Sequence, residues 1–333
     1  MNKSGLRQRL FRSNHPVGKA SPVHARRRHK PSLPAIVFEI QPEYVLGARI
    51  ARSSRKVARV AVGALDAGAL SPLLGRPNIL KPEEVAKAIA AVTKALGSDK
   101  GPLGLLLPDA AVRVSILDFE TLPADRKDQE SLIRWKMKPL LPFPVEDARL
   151  SFEVAATEPA GVEAVVVAVR KSVAAEYEAM LETLNGEVVL VLPTTAALLP
   201  LLGESSADGE LLLHVSQSQL TAVVAGGRQI RLWRNQVMNG KSSAEQLAAV
   251  SEEAVRTLAA AHDHLGLEIG RVSLCARPRV PEDWVAELGR AISREVERLA
   301  PDPLAAGIKL SDEEEQVLTE LGATILGIVA NAA

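Results

Sequence analysis

Few serine or glycine residues in this sequence have neighbours that would make them chemically active. Ser216 and Ser218 lie in no G-x-S-x-G elbow and have no neighbouring base, so nucleophilic catalysis has no support. Gly226 and Gly227 predict a tight hairpin, because no P-loop lysine and hydroxyl follow them in the right frame. These four residues therefore predict turns between strands.

Metal-binding residue types are also sparse. His262 and His264 flank Asp263, but side chains two positions apart on a helix point to different faces, so a solvated helix end is favoured over a metal site. The lone cysteine, Cys275, ends an apolar run, which excludes a disulfide framework and a cysteine-rich metal site. We expect no metal and a reducing compartment.

The elements that would position any site fall into two similar halves. The first half predicts a hairpin over 34–50, a strand over 57–64, a helix over 82–96 and a strand over 103–107. The second predicts strands over 211–215, 220–225 and 229–233, a helix over about 243–265 and a strand over 272–275. Between and after them we expect strands over 108–119, 149–155, 164–169 and 188–192, and helices from 125, over 172–184 and 194–202, and near 284–299 and 311–329. A duplicated α/β lobe accounts for the repeated order.

Composition agrees with an α/β class. The chain has 333 residues, of which 47% are hydrophobic but only 3% are aromatic, so the core must consist of small aliphatic side chains. No apolar run approaches the roughly twenty residues that cross a bilayer, and the N-terminus lacks the apolar stretch of a signal peptide. We expect a soluble, cytoplasmic protein.

Charge is concentrated at the N-terminus. No acidic residue precedes Glu39, whereas nine basic residues do: Lys3, Arg7, Arg9, Arg12, Lys19, Arg26, Arg27, Arg28 and Lys30. With interspersed prolines and few large apolar residues, residues 1–33 predict a disordered tail. Such a tail could associate peripherally with an anionic membrane. A solvated extension or a misassigned start codon is the commoner explanation, and we expect no nucleic-acid partner.

One segment carries a family resemblance. Residues 107–154 read LPDAAVRVSILDFETLPADRKDQESLIRWKMKPLLPFPVEDARLSFEV. The LPD-x-AVRV strand, the helix with IRW, and the PFP turn followed by an acidic residue and a strand resemble the PilM family, the actin-like cytoplasmic component of type IV pilus assembly. Weaker similarity continues over 165–182 and to the LGATILGIVA end, so the resemblance covers roughly 34–330.

The resemblance implies a fold and a role. The fold would be two actin-like (ribonuclease H-like) lobes, 34–184 and 185–333, with a small α+β subdomain inserted in the first lobe at about 101–168. The role would be a nonenzymatic scaffold that holds the cytoplasmic tail of the inner-membrane protein PilN beside the inserted subdomain. Other pilus assembly proteins would be further partners, and they would keep the chain peripheral on the inner membrane.

The first phosphate-binding turn of such a fold is degenerate here. An actin-like ATPase needs an acidic residue to position magnesium and a glycine whose backbone approaches phosphate. Glu39 keeps the carboxylate, but Gln41 occupies the glycine place and Pro42 removes an amide donor. Leu46 replaces the expected lysine, and Glu43 adds negative charge where phosphate would lie.

The second turn and the adenosine side depart from the pattern as well. His214 replaces the expected aspartate and Ser216 the expected glycine, while the bulky stretch 276–279 (ARPR) follows the strand where small glycines should lie. We therefore expect no catalytic residue and no cofactor, that is, a pseudo-ATPase. ATP with magnesium is the alternative, with Glu39 and Ser216 as its binding candidates.

The predicted partner-binding residues lie in the inserted subdomain: Trp135, Leu141, Pro142, Phe143 and Pro144. For Trp135, a place in the helix core is favoured over an exposed peptide anchor. The Leu141–Pro144 stretch would fix a tight connection and also form a groove wall. Two further functions stay open: an ATP-binding switch in the same machinery, and the cytoplasmic actin-like part of a type II secretion protein. The lack of a transmembrane segment after residue 300 argues against the second.

Overall fold

The computed structural model describes residues 33–97, 101–157, 161–184, 186–202, 208–226, 229–238, 242–299 and 307–332. Residues 1–32 of the predicted tail and Gly227 of the predicted hairpin turn lie outside the described residues. Within the described ranges, no helix is long and apolar enough to cross a membrane.

Strands and helices alternate along the described chain. The strands are β1 Ile36–Ile40, β2 Tyr44–Ala51, β3 Lys56–Ala64, β4 Leu103–Leu107, β5 Arg113–Phe119, β6 Ala148–Thr157, β7 Gly161–Arg170, β8 Val188–Pro193, β9 Gly209–Ser216, β10 Gln219–Gly226, β11 Gln229–Val237, β12 Ile269–Arg277 and β13 Val296–Arg298. The helices are α1 Pro82–Leu96, α2 Arg126–Met137, α3 Lys171–Ala179, α4 Ser243–Leu265, α5 Glu282–Ile292, α6 Asp312–Leu321 and α7 Ala323–Ala332.

Two five-stranded sheets share one strand pattern. The first has the order β3-β2-β1-β4-β8 and the second β11-β10-β9-β12-β13. In each, a three-stranded antiparallel meander is extended by two parallel strands. The duplicated lobe predicted from the order of elements is therefore confirmed, including the β10–β11 hairpin.

The first sheet is covered on both faces, which is why β1 is buried along its length and apolar except for Glu39. Alternate residues such as Phe38 join a core with α1, which begins at a proline and places Ile89 and Val92 on one face. Val37, on the opposite face, joins a core that contains Ile325 of α7. The last helices of the chain thus return to the first lobe.

A three-stranded sheet, β5-β7-β6, forms the inserted subdomain. Its core combines α2 residues Ile133 and Met137 with Phe143 and Phe152. The insertion begins later than the predicted residue 101, because β4 pairs with β1 in the main sheet. A short apolar strand such as β4 fits either sheet by pattern alone, and the sequence could not assign it.

Other boundaries also differ from the sequence-based division. β8 pairs with β4, so the first sheet extends past residue 185, where we had placed the second lobe. The helix predicted over 194–202 is a pair of 3-10 turns, Thr194–Ala197 and Leu199–Leu201, and Pro200 lies within the second turn. The helix predicted near 284–299 ends at Ile292, and β13 follows it. The last predicted helix is two helices, since α6 ends at Gly322.

Candidate functional site

The carboxyl ends of the parallel strands face one another across the cleft between the lobes. In the first sheet, β1, β4 and β8 are parallel, and in the second, β9 and β12 are. In open α/β sheets, ligands bind outside such strand ends. The polar residues there are Glu39, Asp109, Thr194, Thr195, His214 and Arg277, each at least 98% buried.

An ion pair joins the two lobes inside this cleft. Arg277, the last residue of β12, donates from Nη1 to Glu39 Oε2 at 2.9 Å, and its Nη2 lies 2.8 Å from Glu39 Oε1. The side chains are 1% and 0% exposed. Arg277 Nη1 also donates to the Leu321 carbonyl at 3.0 Å, and Thr324 Oγ1 donates to Glu39 Oε2 at 2.5 Å. The guanidinium is thus held by both lobes and by the end of α6.

The Glu39 carboxylate has further donors from its own lobe. Tyr44 donates its hydroxyl to Oε1 at 3.2 Å, and Gln41 Nε2 lies 3.0 Å from the same oxygen. Gln41 also donates to Thr194 Oγ1 at 2.8 Å. Every acceptor direction that a magnesium ion or its water ligands would use at Glu39 is therefore met by a protein donor.

A second polar chain crosses the cleft beside the first. His214 Nε2 accepts from Arg277, with Nε at 3.2 Å and Nη2 at 3.1 Å, so the proton of a neutral ring must be on Nδ1. Nδ1 lies 2.6 Å from Thr195 Oγ1, which donates in turn to Asp109 Oδ2. Thr221 Oγ1 donates to the same oxygen at 2.8 Å. One direction of donation, from Arg277 to Asp109, satisfies the whole chain.

Burial and charge set the protonation of these groups. Burial alone would raise the pKa of Glu39, but the Arg277 guanidinium and its hydrogen bond, with that of Thr324, hold this pKa below its ordinary value. Burial lowers the pKa of His214, and the charge of Arg277 adds to this effect, so the ring is neutral near pH 7. Burial would lower the pKa of Arg277, yet Glu39 keeps it raised.

The other nucleotide-binding candidate lies in a turn. Ser216 Oγ accepts from the Gln219 amide at 3.1 Å and shapes the β9–β10 connection. Burial raises the pKa of Glu43, which lies across from that turn and accepts a hydrogen bond from Ser218. Among the residues that the structure describes, no group of three or more His, Cys, Asp or Glu side chains could hold a metal ion. The predicted pair His262 and His264 lies exposed near the end of α4.

The predicted partner-binding residues separate into exposed and buried ones. Trp135 is 68% exposed, so the prediction that it belongs to the helix core is wrong: Ile133 and Met137 take the buried face, and a residue two positions from each points away. Leu141 and Phe143 are buried in the subdomain core.

The proline side of the same segment reaches solvent. Pro142 and Pro144 are exposed, and Leu140 beside them is 36% exposed. Pro142 and Phe143 contact Gly75 of the first lobe, where a Cβ would come within 3.2 and 3.0 Å of them. The PFP turn therefore also packs against the first lobe, a contact that the sequence analysis did not predict.

Sequence reasoning noticed Arg277 only as a bulky residue and missed Asp109, Thr195 and Thr221 as members of one network. One signal was available: a charged or polar residue lies within two positions of the end of each of the strands β1, β4, β8, β9 and β12, namely Glu39, Asp109, Thr194, Ser216 and Arg277. Polar side chains at the ends of buried parallel strands indicate a shared site.

Comparison with solved structures identifies the class of fold. The sequence matches no protein-family model and no curated protein. A chain of the PilM–PilN type IV pilus biogenesis complex matches with a TM-score of 0.74 and 17% identity, over 91% of this chain and 99% of that one. A Bacteroides thetaiotaomicron protein with an actin-like ATPase fold and unknown function matches with a TM-score of 0.52 and 9% identity, over 90% and 96%.

The chain therefore has an actin-like ATPase fold, as the resemblance implied. Within that class, it shares its architecture with a component of the PilM–PilN complex over nearly the whole length of both chains.

Proposed function

We propose that this chain is a nonenzymatic scaffold of a type IV pilus or related secretion apparatus that binds the cytoplasmic tail of a PilN-like inner-membrane protein. The shared architecture with the PilM–PilN complex supports the choice of machinery and partner. On this proposal the chain acts in the cytoplasm and is held at the inner membrane through its partners.

The Arg277–Glu39 pair is the main support for the proposal that this chain is not an enzyme. The carboxylate that would position magnesium is fully buried and bound to a guanidinium at 2.8 and 2.9 Å. Magnesium ATP would first have to separate this pair, which costs roughly 3–5 kcal/mol for a buried pair and must be offset by the new contacts. Arg277 thus takes the place of a cation in the cleft and joins the lobes without a ligand.

The partner surface of this proposal is the exposed apolar part of the subdomain. Trp135, Leu140, Pro142 and Pro144 reach solvent there, and we call them the subdomain surface. Exposed tryptophans are frequent anchors in peptide recognition, because one rigid side chain buries a large area. The buried Leu141 and Phe143 support this surface from below.

Isothermal titration calorimetry of the full chain tests both parts. We expect the cytoplasmic tail peptide of the PilN-like protein to bind, and magnesium ATP to give no saturable heat. Trp135→Ala should weaken peptide binding by roughly 30-fold, about 2 kcal/mol, as expected for a binding hot spot. Leu80→Ala, a 56% exposed residue of the first lobe, is the matched control and should change it little.

An ATP-binding switch is the second candidate, because Glu39 and Asp109 keep two carboxylates at the strand ends. Saturable magnesium ATP binding by the unaltered chain would favour the switch over the scaffold. If Trp135→Ala and the parent chain bound the peptide with equal affinity, the subdomain surface would be ruled out as the binding site.

A further inference from the structure

A polar pocket of about 310 Å³ opens beside the second sheet, between α4 and the end of β11. Leu220 of β10 forms its apolar part, and the polar lining residues are Arg234, Asn235, Gln236, Glu252, Glu253 and Arg256. Leu220 belongs to the core that α4 covers, whereas its neighbour Thr221 donates to Asp109 in the cleft. Since successive side chains of a strand point to opposite faces, the pocket and the cleft network lie on opposite faces of the second sheet.

A buried carboxylate holds the two arginines of this pocket in place. Glu253 is 5% exposed, and it accepts from Arg256 Nη1 at 3.1 Å and from Thr257 Oγ1 at 3.2 Å. Arg234 Nε lies 2.8 Å from the same carboxylate. A guanidinium is planar and has five N–H donors, so one fixed bond restricts the directions of the others. Among the described residues, Glu253 is the only acceptor for either arginine, so each guanidinium keeps donors for a ligand.

Glu252 adds a second carboxylate, at the rim of the pocket. It is exposed, and no described residue forms an ion pair with it. Arg256 lies four positions later on α4, but its guanidinium bonds to Glu253 instead. The charges of the four ionic side chains cancel, yet they are separated: two arginines share one buried carboxylate, and the other carboxylate stands alone. The pocket therefore has a positive part at the arginines and a negative part at Glu252.

We propose that this pocket binds a small zwitterionic ligand, with its phosphate or carboxylate at the two arginines and its ammonium group at Glu252. Guanidinium groups bind both kinds of oxyanion through paired N–H donors. A simple anion would be repelled by Glu252 and a simple cation by the arginines, whereas a zwitterion is attracted by both parts. The carboxamides of Asn235 and Gln236 add neutral donors and acceptors. The volume falls within the range of small-molecule sites, roughly 300–1,000 Å³.

Isothermal titration calorimetry of the full chain in low-salt buffer tests the pocket with matched probes. Phosphoethanolamine is compared with ethyl phosphate, and β-alanine with propionate, so that the members of each pair differ in the ammonium group. We expect saturable binding of the zwitterion in at least one pair, roughly threefold tighter than its match, because an ion pair at an exposed site contributes little. The pair that binds shows whether the oxyanion is a phosphate or a carboxylate.

Two variants test the two parts of the pocket separately. Glu252→Gln should abolish the preference for the zwitterion, because the zwitterion loses an attraction and its match loses a repulsion. Arg256→Gln should weaken the binding of both members of the pair by roughly tenfold, because a charge-assisted hydrogen bond to the oxyanion is lost. The control combines Glu287→Gln with Arg290→Gln, an exposed ion pair on α5, and should change neither affinity.

Three results would overturn the proposal. They are the lack of saturable binding by all four probes, equal affinities within each pair, and equal effects of the control and the pocket variants. The proposal does not rest on the scaffold function, and calorimetry with the PilN-like peptide separates the two. Normal peptide binding together with any of these three results would contradict the pocket alone, whereas zwitterion binding without peptide binding would contradict the scaffold alone.

Discussion

Replacing Arg277 by methionine tests the buried ion pair that joins the lobes. The change keeps an unbranched side chain but removes the only guanidinium that contacts Glu39 in the described cleft, with bonds of 2.8 and 2.9 Å. It also leaves the Leu321 carbonyl and His214 Nε2 without their Arg277 donor. Breaking a pair that is buried on both sides costs roughly 3–5 kcal/mol, which is about 150- to 5,000-fold in the unfolding equilibrium.

The stability that Arg277→Met is expected to lose depends on pH. In the parent chain the pKa of Glu39 is lowered, so its stabilising contribution is present above the ordinary value of 4.5 and is lost as pH falls through the lowered pKa. Without Arg277, burial is the dominant influence and raises that pKa. Stability of Arg277→Met should therefore fall as pH rises, so the difference from the parent should be larger at pH 8 than at pH 5.

Urea unfolding followed by tryptophan fluorescence measures this difference. Arg290→Met, at a side chain that is 75% exposed, is the matched control and should change stability by less than about 0.5 kcal/mol. The double variant Glu39→Leu with Arg277→Met removes both charges and should recover at least half of the single-variant loss. Additive losses in the double variant, or a loss that does not change with pH, would refute the reasoning.

Two further predictions concern the packing around the cleft. Thr195→Val removes the hydroxyl that donates to Asp109 and accepts from His214, so the free energy of unfolding in urea should fall by about 1–3 kcal/mol. An unchanged urea midpoint would show that neither Asp109 nor His214 depends on this hydroxyl. Gly327→Ala would place a Cβ 1.8 Å from the Ala197 carbonyl oxygen, so α7 must shift and the thermal midpoint should fall by several degrees. An unchanged midpoint would mean that α7 moves away from the 3-10 turn at no cost.

Local patterns determined most of the elements. The hairpin at the start of the chain, α1 with its proline start and glycine end, and the repeat of the same order in the second half were all readable from apolar spacing. The motif over 107–154 indicated the class of fold, which the structural comparison confirms. These features depend on residues close together in the chain.

The sequence did not correctly predict to which lobe each strand belongs. β4 and β8 are short apolar runs that fit any buried parallel sheet, and only their pairing places both in the first sheet. Trp135 shows the same limit on a smaller scale. Its neighbours Ile133 and Met137 define a face by four-residue spacing, and a tryptophan between them in sequence lies on the other side of the helix.

By itself, the sequence determined that Gln41 and Ser216 stand where an actin-like ATPase would have glycines and that a carboxylate remains at Glu39. What that carboxylate does was decided by the tertiary structure. Arg277 lies 238 residues from Glu39 in the chain, and the pair forms because β1 and β12 end on opposite sides of one closed cleft. A buried charge requires a partner, and only the packing of the two lobes selects which residue supplies it.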